Sequence, residues 1–298
     1  MNSLEKPQKM ALLGLAALTL IWSYNWVVMK SALQYMGAFE FSALRCTLGS
    51  ILLLVVLRLR GQSLKPTPFI PTAIVGILQM GGMVGFSQWA LVSGGAGKVA
   101  VLAYTMPFWI ILLAALVLGE KIRGFQYVVV SIAAAGVILI LQPWNLTGSW
   151  QSSILAVMSG LCWAASAVAA KRVYAKYPTV DLLSLTAWQM VIGTFVIIFI
   201  AFCVDEKPAV WSGYIFYALA YNSILATALG WALWLFLLKN LPAGIAGLST
   251  LAIPVCGILF AWALLGEVPS QVEAVGIGLI ILALALISIP NRAAQKQG

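Results

Sequence analysis

The chain has 298 residues, of which 62% are hydrophobic and only 8% are charged, and its mean hydropathy is +1.02. Soluble domains carry about 25% charged residues, so this composition excludes an ordinary water-soluble protein. The net charge of +9 does not indicate nucleic acid, because the basic residues stand singly or in twos and threes between apolar runs. The chain has no histidine, the most common metal ligand and neutral-pH acid or base. Its four cysteines are far apart, which predicts neither a disulfide nor a zinc site.

Apolar runs long enough to cross a bilayer, which takes about 20 residues, follow one another along the whole chain. They lie at about 10–29, 41–57, 72–93, 97–118, 124–142, 152–170, 182–203, 212–238, 243–265 and 272–289. We therefore predict an all-α integral membrane protein with ten transmembrane helices and no soluble domain between them.

The distribution of Lys and Arg predicts the orientation, since cytoplasmic loops carry an excess of these residues. With a cytoplasmic N-terminus, thirteen basic residues lie on the cytoplasmic side and only Lys30, Lys98 and Lys207 lie on the outer side. We therefore predict a protein of the plasma (inner) membrane with both termini in the cytoplasm. One further basic residue, Arg45, falls inside the second span.

The two halves of the chain repeat one pattern. Residues 102–120 read LAYTMPFWIILLAALVLGE, and residues 249–267 read STLAIPVCGILFAWALLGE. Pro107 and Pro254 are 147 residues apart, and Trp22 and Trp163 are 141 residues apart. A unit of five spans that occurs twice must enter the membrane from opposite sides. We therefore predict two inverted five-helix repeats, residues 1–146 and 147–298, around a central cavity, as in alternating-access carriers.

The repeated prolines lie near the middle of spans 4 and 9. Each removes a backbone donor and frees the carbonyl four residues earlier, on Ala103 and Thr250. An unpaired carbonyl is expensive in lipid unless it faces protein or a water-filled cavity. Pro107 and Pro254 therefore predict two broken helices beside a polar cavity at midplane depth. The alternative is a pair of packing kinks satisfied by neighbouring helices.

These features resemble the EamA-type members of the drug/metabolite transporter superfamily. The resemblance rests on the ten spans, the half-chain repeat and the P-x11-G-E pattern from Pro107 to Glu120 and from Pro254 to Glu267. The many tryptophans within spans, and the sequence Trp22-Ser23-Tyr24-Asn25, are similar to bacterial amino-acid exporters of the YddG type. The resemblance implies a basket of ten helices around a cavity and the efflux of small metabolites.

Aromatic and amide side chains within the spans are the candidate cavity residues. Buried indoles need a partner for their N–H groups, and polar side chains in hydrocarbon usually turn inward. An amide both donates and accepts, which suits a zwitterionic substrate. We predict substrate contacts from Trp22, Asn25, Gln79, Tyr104, Trp163, Trp188 and Asn222. For each of them, packing or an interhelical hydrogen bond is the alternative.

Two kinds of charged residue in or near the spans have open interpretations. Arg45 could bind a substrate carboxylate, since a guanidinium suits planar, bidentate recognition. Our preferred interpretation is that Arg45 snorkels to the outer surface or pairs with Glu40, five residues earlier. Glu120 and Glu267 end their helices, and we expect them to be turn residues that cap the helix that follows.

The sequence therefore predicts a secondary transporter that exports small neutral or aromatic amino acids by alternating access. It would need a small-molecule substrate and the lipid bilayer, but no cofactor, metal, nucleic acid or obligate protein partner. A drug/metabolite or nucleotide-sugar carrier of the same superfamily, a channel and an intramembrane enzyme are the alternatives. An enzyme is disfavoured because no Asp or Glu lies mid-span. An ATP-driven pump is excluded because Gly97-Lys98 lacks the other residues of a P-loop.

Overall fold

The computed structural model describes residues 6–119, 122, 124–142, 150–230, 233 and 243–288. All regular secondary structure in these residues is helical. The helices are α1 (Lys6–Ala32), α2 (Ala38–Leu59), α3 (Phe69–Ser93), α4 (Ala96–Ala103), α5 (Met106–Leu118), α6 (Gly124–Leu141), α7 (Trp150–Lys176), α8 (Leu182–Cys203), α9 (Gly213–Leu229), α10 (Ala243–Leu265) and α11 (Gln271–Ser288). A single apolar segment enters lipid as an α-helix, because a helix satisfies its own backbone polar groups.

Six helical stretches are long and apolar enough to cross a membrane: α2, α3, α6, α7, α8 and the combined stretch Ala96–Val117 of α4 and α5. Three shorter apolar helices lie at Gly213–Leu229, Ala252–Leu265 and Gln271–Leu286. The prediction of an all-helical, multi-pass membrane protein is therefore confirmed. The count of ten spans, the inversion of the halves and the orientation of the termini stay predictions.

The outer surface of the bundle carries large apolar side chains. On α8, Phe195, Phe199 and Phe202 recur at helical spacing and are 66%, 69% and 87% exposed. A stripe of this kind would be an aggregation surface in water, whereas hydrocarbon solvates it. The face of α8 that carries these rings is therefore its lipid face.

Helices of the first half pack mainly against helices of the second half. The helix α6 packs along α11, α2 along α8, and α1 along α10. In the predicted repeat, α7 is the counterpart of α1, and α4 with α5 is the counterpart of α10. The packing of α7 against α4 and α5 therefore corresponds to the packing of α1 along α10. The contacts of α3 with α7 and α8 likewise have counterparts in the contacts of α9 with α1 and α2.

The helices α6 and α11 meet through two glycines. A Cβ on Gly136 would lie 2.7 Å from the carbonyl oxygen of Gly276, and a Cβ on Gly276 would lie 2.8 Å from that of Gly136. Both positions are too tight for any side chain. Small residues of this kind let two backbones approach closely in a membrane, where van der Waals packing drives helix association.

The third helix of each half contains a π-helical stretch. These stretches are Ile77–Val84 within α3 and Tyr221–Leu229 within α9. π-Helical turns are rare and frequently occur at functional sites. They carry the two amides, Gln79 and Asn222, that the sequence predicts to face the cavity.

The break predicted at Pro107 is present, because Tyr104 and Thr105 separate α4 from α5. Pro107 lies in the first turn of α5, where its missing N–H leaves no helical hydrogen bond unmade. The matching break at Pro254 is not found, since α10 continues through this residue in the described range 243–288. Thr250 thus lies inside an uninterrupted helix. The prediction of two broken helices is wrong for the second, because a helix can pass a proline as a kink.

Candidate substrate cavity

A cavity of about 110 Å³ lies between the two halves of the molecule. The first half lines it from α1, α2, α3 and the turn after α4, and the second half lines it from α7, α8 and α9. Its volume is far above the ~10–15 Å³ that one water needs and below the ~300 Å³ of the smallest drug-sized pockets. It can therefore hold a small solute.

Two larger clefts are less suited to be the substrate site. One, of about 260 Å³, lies between α3, α5 and α7 and is lined mostly by apolar side chains. The other, of about 240 Å³, lies where the beginnings of α4 and α11 meet. The smaller cavity combines polar, aromatic and charged side chains from both halves, so we take it as the candidate site.

Most of the predicted site residues come together here. The cavity is lined by Trp22, Asn25, Gln79, Tyr104 and Trp163. Asn222 does not line it but bonds to a lining residue, Arg45. Trp188 is not among the lining residues, and its indole N–H is buried without a hydrogen-bond partner in the described structure.

Three indoles line the cavity, and two of them, those of Trp22 and Trp163, connect the two halves. The Nε1 atom of Trp22 in α1 donates a hydrogen bond to the carbonyl oxygen of Ala226 in α9, at 2.9 Å. Gly230 makes room for this ring, since a Cβ there would lie 2.5 Å from that nitrogen. Trp163 in α7 packs edge-to-face against Tyr104, with ring centroids 5.4 Å apart and an interplanar angle of 76°. Both indoles thus form walls that the opposite half holds in place.

The helix break at Tyr104 positions this phenol ring at the cavity. The Oγ1 atom of Thr105 donates to the carbonyl of Leu102 at 2.6 Å, and this bond holds the turn. The carbonyl of Ala103, which Pro107 leaves without a helical partner, faces α7, because a Cβ on Gly160 would lie 2.8 Å from it. The carbonyl of Ala103 therefore lies against the backbone of α7 at Gly160.

Arg45 is buried, with 8% of its surface exposed, and it lines the cavity. Its Nη1 atom donates to Oδ1 of Asn222 at 3.2 Å, and Nδ2 of Asn222 donates to the carbonyl of Ala218 at 3.1 Å. Our preferred interpretation, snorkelling or pairing with Glu40, is therefore wrong. The reason is that α2 packs against the π-helical stretch of α9, which offers Arg45 an amide partner at membrane depth.

Two polar atoms at the cavity have no hydrogen-bond partner among the described residues. They are Nε of Arg45, a donor, and Oδ1 of Asn25, an acceptor. Such atoms are costly to bury unless a ligand or water completes them. Two lining residues, Arg45 and Asn25, therefore keep hydrogen-bonding capacity that the described structure does not use.

Methionines form much of the remaining wall, and sequence reasoning missed them. Met29, Met80, Met83 and Met190 all line the cavity. Thioether side chains are flexible and polarisable, so they adapt to solutes of different shape. The one available signal was that Met80 and Met83 lie one and four residues after Gln79 in the same helix.

Two glutamates of the second half cap helices of the first half. The carboxylate of Glu267 accepts from the backbone N–H of Ala96 at 2.9 Å and of Gly97 at 3.2 Å, at the start of α4. Glu206 accepts from Phe39 at 3.0 Å and from Glu40 at 2.9 Å, at the start of α2. Glu267 was expected to cap the helix that follows it, and this prediction is wrong.

The second glutamate of that prediction, Glu120, lies outside the described residues. The end of the bundle at which Glu206 and Glu267 cap helices also holds an ion pair between Lys98 and Glu273, at 2.9 Å. Lys207 also donates to the carbonyl of Leu33. Several charged contacts between the halves therefore lie at the end predicted to face the outside.

A multi-pass helical protein with a cavity between two halves belongs to the class of membrane transporters. The model of the EamA-like transporter family matches this chain twice, at residues 9–142 and 150–289. The chain therefore belongs to the EamA-like transporter family.

The chain is similar to several curated relatives. It is 26% identical to the uncharacterized transporter YoaV of Bacillus subtilis over 262 residues, 86% of this chain and 89% of the relative. It is also 26% identical to the uncharacterized inner membrane transporter YedA of Escherichia coli K12, over 93% of this chain and 90% of the relative. A probable amino-acid metabolite efflux pump of Salmonella typhimurium is 23% identical, over 89% and 90%.

A solved crystal structure has the same fold. It superposes with a TM-score of 0.64 at 22% sequence identity, and the match covers 96% of this chain and 99% of that chain. At this identity the likeness bears on the fold alone.

Proposed function

We propose that this protein is a secondary transporter that exports small neutral amino acids, including aromatic ones, by alternating access. The observation that carries the proposal is the cavity between the halves, whose lining residues Arg45 and Asn25 carry a donor and an acceptor that have no partner in the described structure. An α-amino acid has the complementary pair, a carboxylate and an ammonium. The name of the Salmonella relative, an amino-acid metabolite efflux pump, supports the same class of substrate.

The alternating-access part of the proposal rests on two related halves, residues 1–146 and 147–298. The family model matches the chain twice, the interhelical contacts have counterparts in which the halves exchange roles, and both third helices contain a π-helical stretch. We further propose that the halves are inverted and that both termini are cytoplasmic. The excess of Lys and Arg on one side of the spans supports this orientation.

The walls of the cavity favour substrates with apolar side chains. Trp22 and Trp163 offer ring faces, and the four methionines offer adaptable surface. An apolar pocket discriminates weakly, since one methylene is worth about 1–3 kcal/mol. The transporter should therefore accept several neutral amino acids rather than one.

Counterflow of labelled amino acids into proteoliposomes tests the proposal. Wild-type protein should exchange leucine, methionine, phenylalanine and threonine. Trp163→Ala should slow the exchange of phenylalanine at least tenfold and that of threonine less, because the large side chain loses more of its wall. The control is Trp262→Ala, which removes an indole that is 59% exposed on α10 and should leave the rates unchanged. Exchange of nucleotide-sugars or lipophilic cations, but of no amino acid, would contradict the proposal.

A further inference from the structure

We propose that Arg45, oriented by Asn222, binds the carboxylate of the transported solute, and that this carboxylate is the one group the site requires. The inference rests on the proposed function and deepens it. It names the substrate class as small monocarboxylates with an apolar side chain, in which the ammonium of an amino acid is tolerated rather than demanded.

The charge of Arg45 has no counter-charge beside it among the described residues. Its contact is the neutral amide oxygen of Asn222, and no carboxylate lines the cavity among the described residues. The ion pair found in the described ranges, between Lys98 and Glu273, lies at the end of the bundle. A guanidinium buried at membrane depth is expensive without an opposite charge. An anionic occupant of the cavity would supply this charge.

The guanidinium is only partly engaged in the described structure. Asn222 accepts from Nη1, Nε is buried without a partner, and the side chain as a whole lines the cavity. Asn222 is itself fixed, because it is fully buried and donates to the carbonyl of Ala218. A planar guanidinium held on one side presents its remaining donors in a fixed direction, which suits a carboxylate.

The groups available to an ammonium are weaker. Oδ1 of Asn25 is an unpaired acceptor in the described structure, but it is neutral. The rings of Trp22 and Trp163 can add cation–π attraction. A guanidinium and a carboxylate can form two parallel hydrogen bonds between opposite charges, whereas an ammonium at Asn25 would meet a neutral oxygen. The carboxylate should therefore contribute more to binding than the ammonium does.

A purely structural role for Arg45 is the competing explanation. The bond to Asn222 also joins α2 to α9, and Oγ of Ser223 donates to the carbonyl of Arg45 at 3.4 Å. If Arg45 only joins these helices, its replacement lowers stability but does not change which solutes bind. Selectivity therefore separates the two roles.

The first experiment uses the wild-type protein and three solutes with the same side chain. These are leucine, leucinamide, which lacks the carboxylate, and 4-methylpentanoate, which lacks the ammonium. Binding is measured in detergent through tryptophan fluorescence, since Trp22 and Trp163 line the cavity, and competition against labelled leucine is measured in proteoliposomes. Leucinamide should bind at least tenfold more weakly than leucine, and 4-methylpentanoate within about threefold of it.

The second experiment uses variants of Arg45. Arg45→Gln should bring the affinity ratio of leucine to leucinamide close to one, and Arg45→Lys should give an intermediate ratio because it keeps the charge but loses the planar fork. The matched control is Arg172→Gln, since Arg172 donates to the carbonyl of Val117 away from the cavity. This control should keep the wild-type ratio.

The outcomes distinguish failure of this inference from failure of the proposed function. If leucinamide binds and competes as well as leucine, the inference is overturned while amino-acid transport stands. If the ratio survives in folded Arg45→Gln, as judged by gel filtration, the inference is overturned as well. If the protein binds and exchanges none of leucine, methionine, phenylalanine and threonine, the proposed function fails, and the inference fails with it. Should Arg45→Gln not fold, the three solutes on wild-type protein decide alone.

Discussion

Replacing Glu267 with alanine should open the end of the bundle at which the halves are joined. Its carboxylate accepts two backbone N–H groups at the start of α4, at 2.9 and 3.2 Å. The helix has no cap of its own, because its N-cap residue is Gly95. The substitution therefore leaves two helical donors without a protein partner and removes a negative charge from a helix N-terminus.

The magnitude follows from these contacts. A hydrogen bond to a charged group contributes about 1.5–3 kcal/mol, but Glu267 is only half-buried, so water recovers part of the loss. We expect Glu267→Ala to destabilise the arrangement in which the halves are joined at this end by about 2 kcal/mol. This corresponds to about a 30-fold change in the equilibrium between the joined and the separated arrangement. Glu267→Gln keeps one acceptor oxygen and should have a smaller effect.

Cys46 provides the assay, because it is buried and lines the cavity. In a variant that keeps only this cysteine, a membrane-impermeant thiol reagent reports access to the cavity. Glu267→Ala should raise the labelling rate of Cys46 at least tenfold from one side of the membrane. Comparing right-side-out with inside-out vesicles identifies that side, which should be the outer one if the proposed orientation holds.

The matched control is Glu273→Ala at the same end. Glu273 forms an ion pair with Lys98 in which the side chains are 17% and 20% exposed, and pairs near the surface contribute at most about 1 kcal/mol. In Glu273→Ala the labelling rate of Cys46 should change several-fold less than in Glu267→Ala. Equal labelling rates in Glu267→Ala and the parent protein would refute the idea that this capping contact holds the halves together.

Two further pairs of substitutions test the packing of the helices. Pro107→Ala should slow counterflow several-fold because it restores a backbone donor at the break between α4 and α5. Pro254→Ala should slow counterflow less, because α10 is already continuous. Equal effects of the two substitutions on counterflow would contradict this reasoning. Gly276→Ala should lower the free energy of unfolding by about 1–3 kcal/mol, since the added Cβ would meet the carbonyl of Gly136. A Cβ on Gly278 would meet nothing within 4 Å, so Gly278→Ala should not lower the free energy of unfolding. Thermal unfolding in detergent measures the two glycine variants, and equal shifts of their unfolding temperatures would rule out the close contact of α6 and α11.

The helices were predictable because the bilayer imposes a simple rule on sequence. A run of apolar residues such as 182–203 must form a helix to satisfy its backbone, and the structure has α8 at Leu182–Cys203. The same rule placed Asn25 and Gln79 at the cavity, since polar groups in hydrocarbon turn inward. It failed for Trp188, because an indole is apolar enough to face either protein or lipid.

The partner of Arg45 was not predictable from local sequence. Within its own helix the nearest opposite charge is Glu40, and this proximity suggested an ion pair at the surface. The actual partner, Asn222, is 177 residues away in the chain. It meets Arg45 because α2 packs against the π-helical stretch of α9. Neither the packing partner nor the π-helical register leaves a periodic signal in the sequence.

The capping glutamates show a signal that sequence reasoning can use. The helices α2 and α4 both begin after a glycine, Gly37 and Gly95, and neither glycine can supply a side-chain cap. A Cβ on Gly37 would lie 2.5 Å from Glu206, and one on Gly95 would lie 2.8 Å from Glu267. The glycines therefore leave the space that the glutamates occupy. A helix that begins with glycine and lacks Ser, Thr, Asp or Asn at its cap needs an acceptor for its first N–H groups from elsewhere in the fold.

In this chain that partner comes from the other half of the molecule. Because α2 and α4 have their first N–H groups satisfied only when Glu206 and Glu267 are in place, the first half is incomplete without the second. Any movement that separates the halves at this end must break these bonds and leave helix ends exposed. Under the proposed orientation and alternating access, the contacts that complete the fold of the first half are the same contacts that an outward opening of the cavity would have to break. The proposal would then link the stability of the protein to its transport cycle.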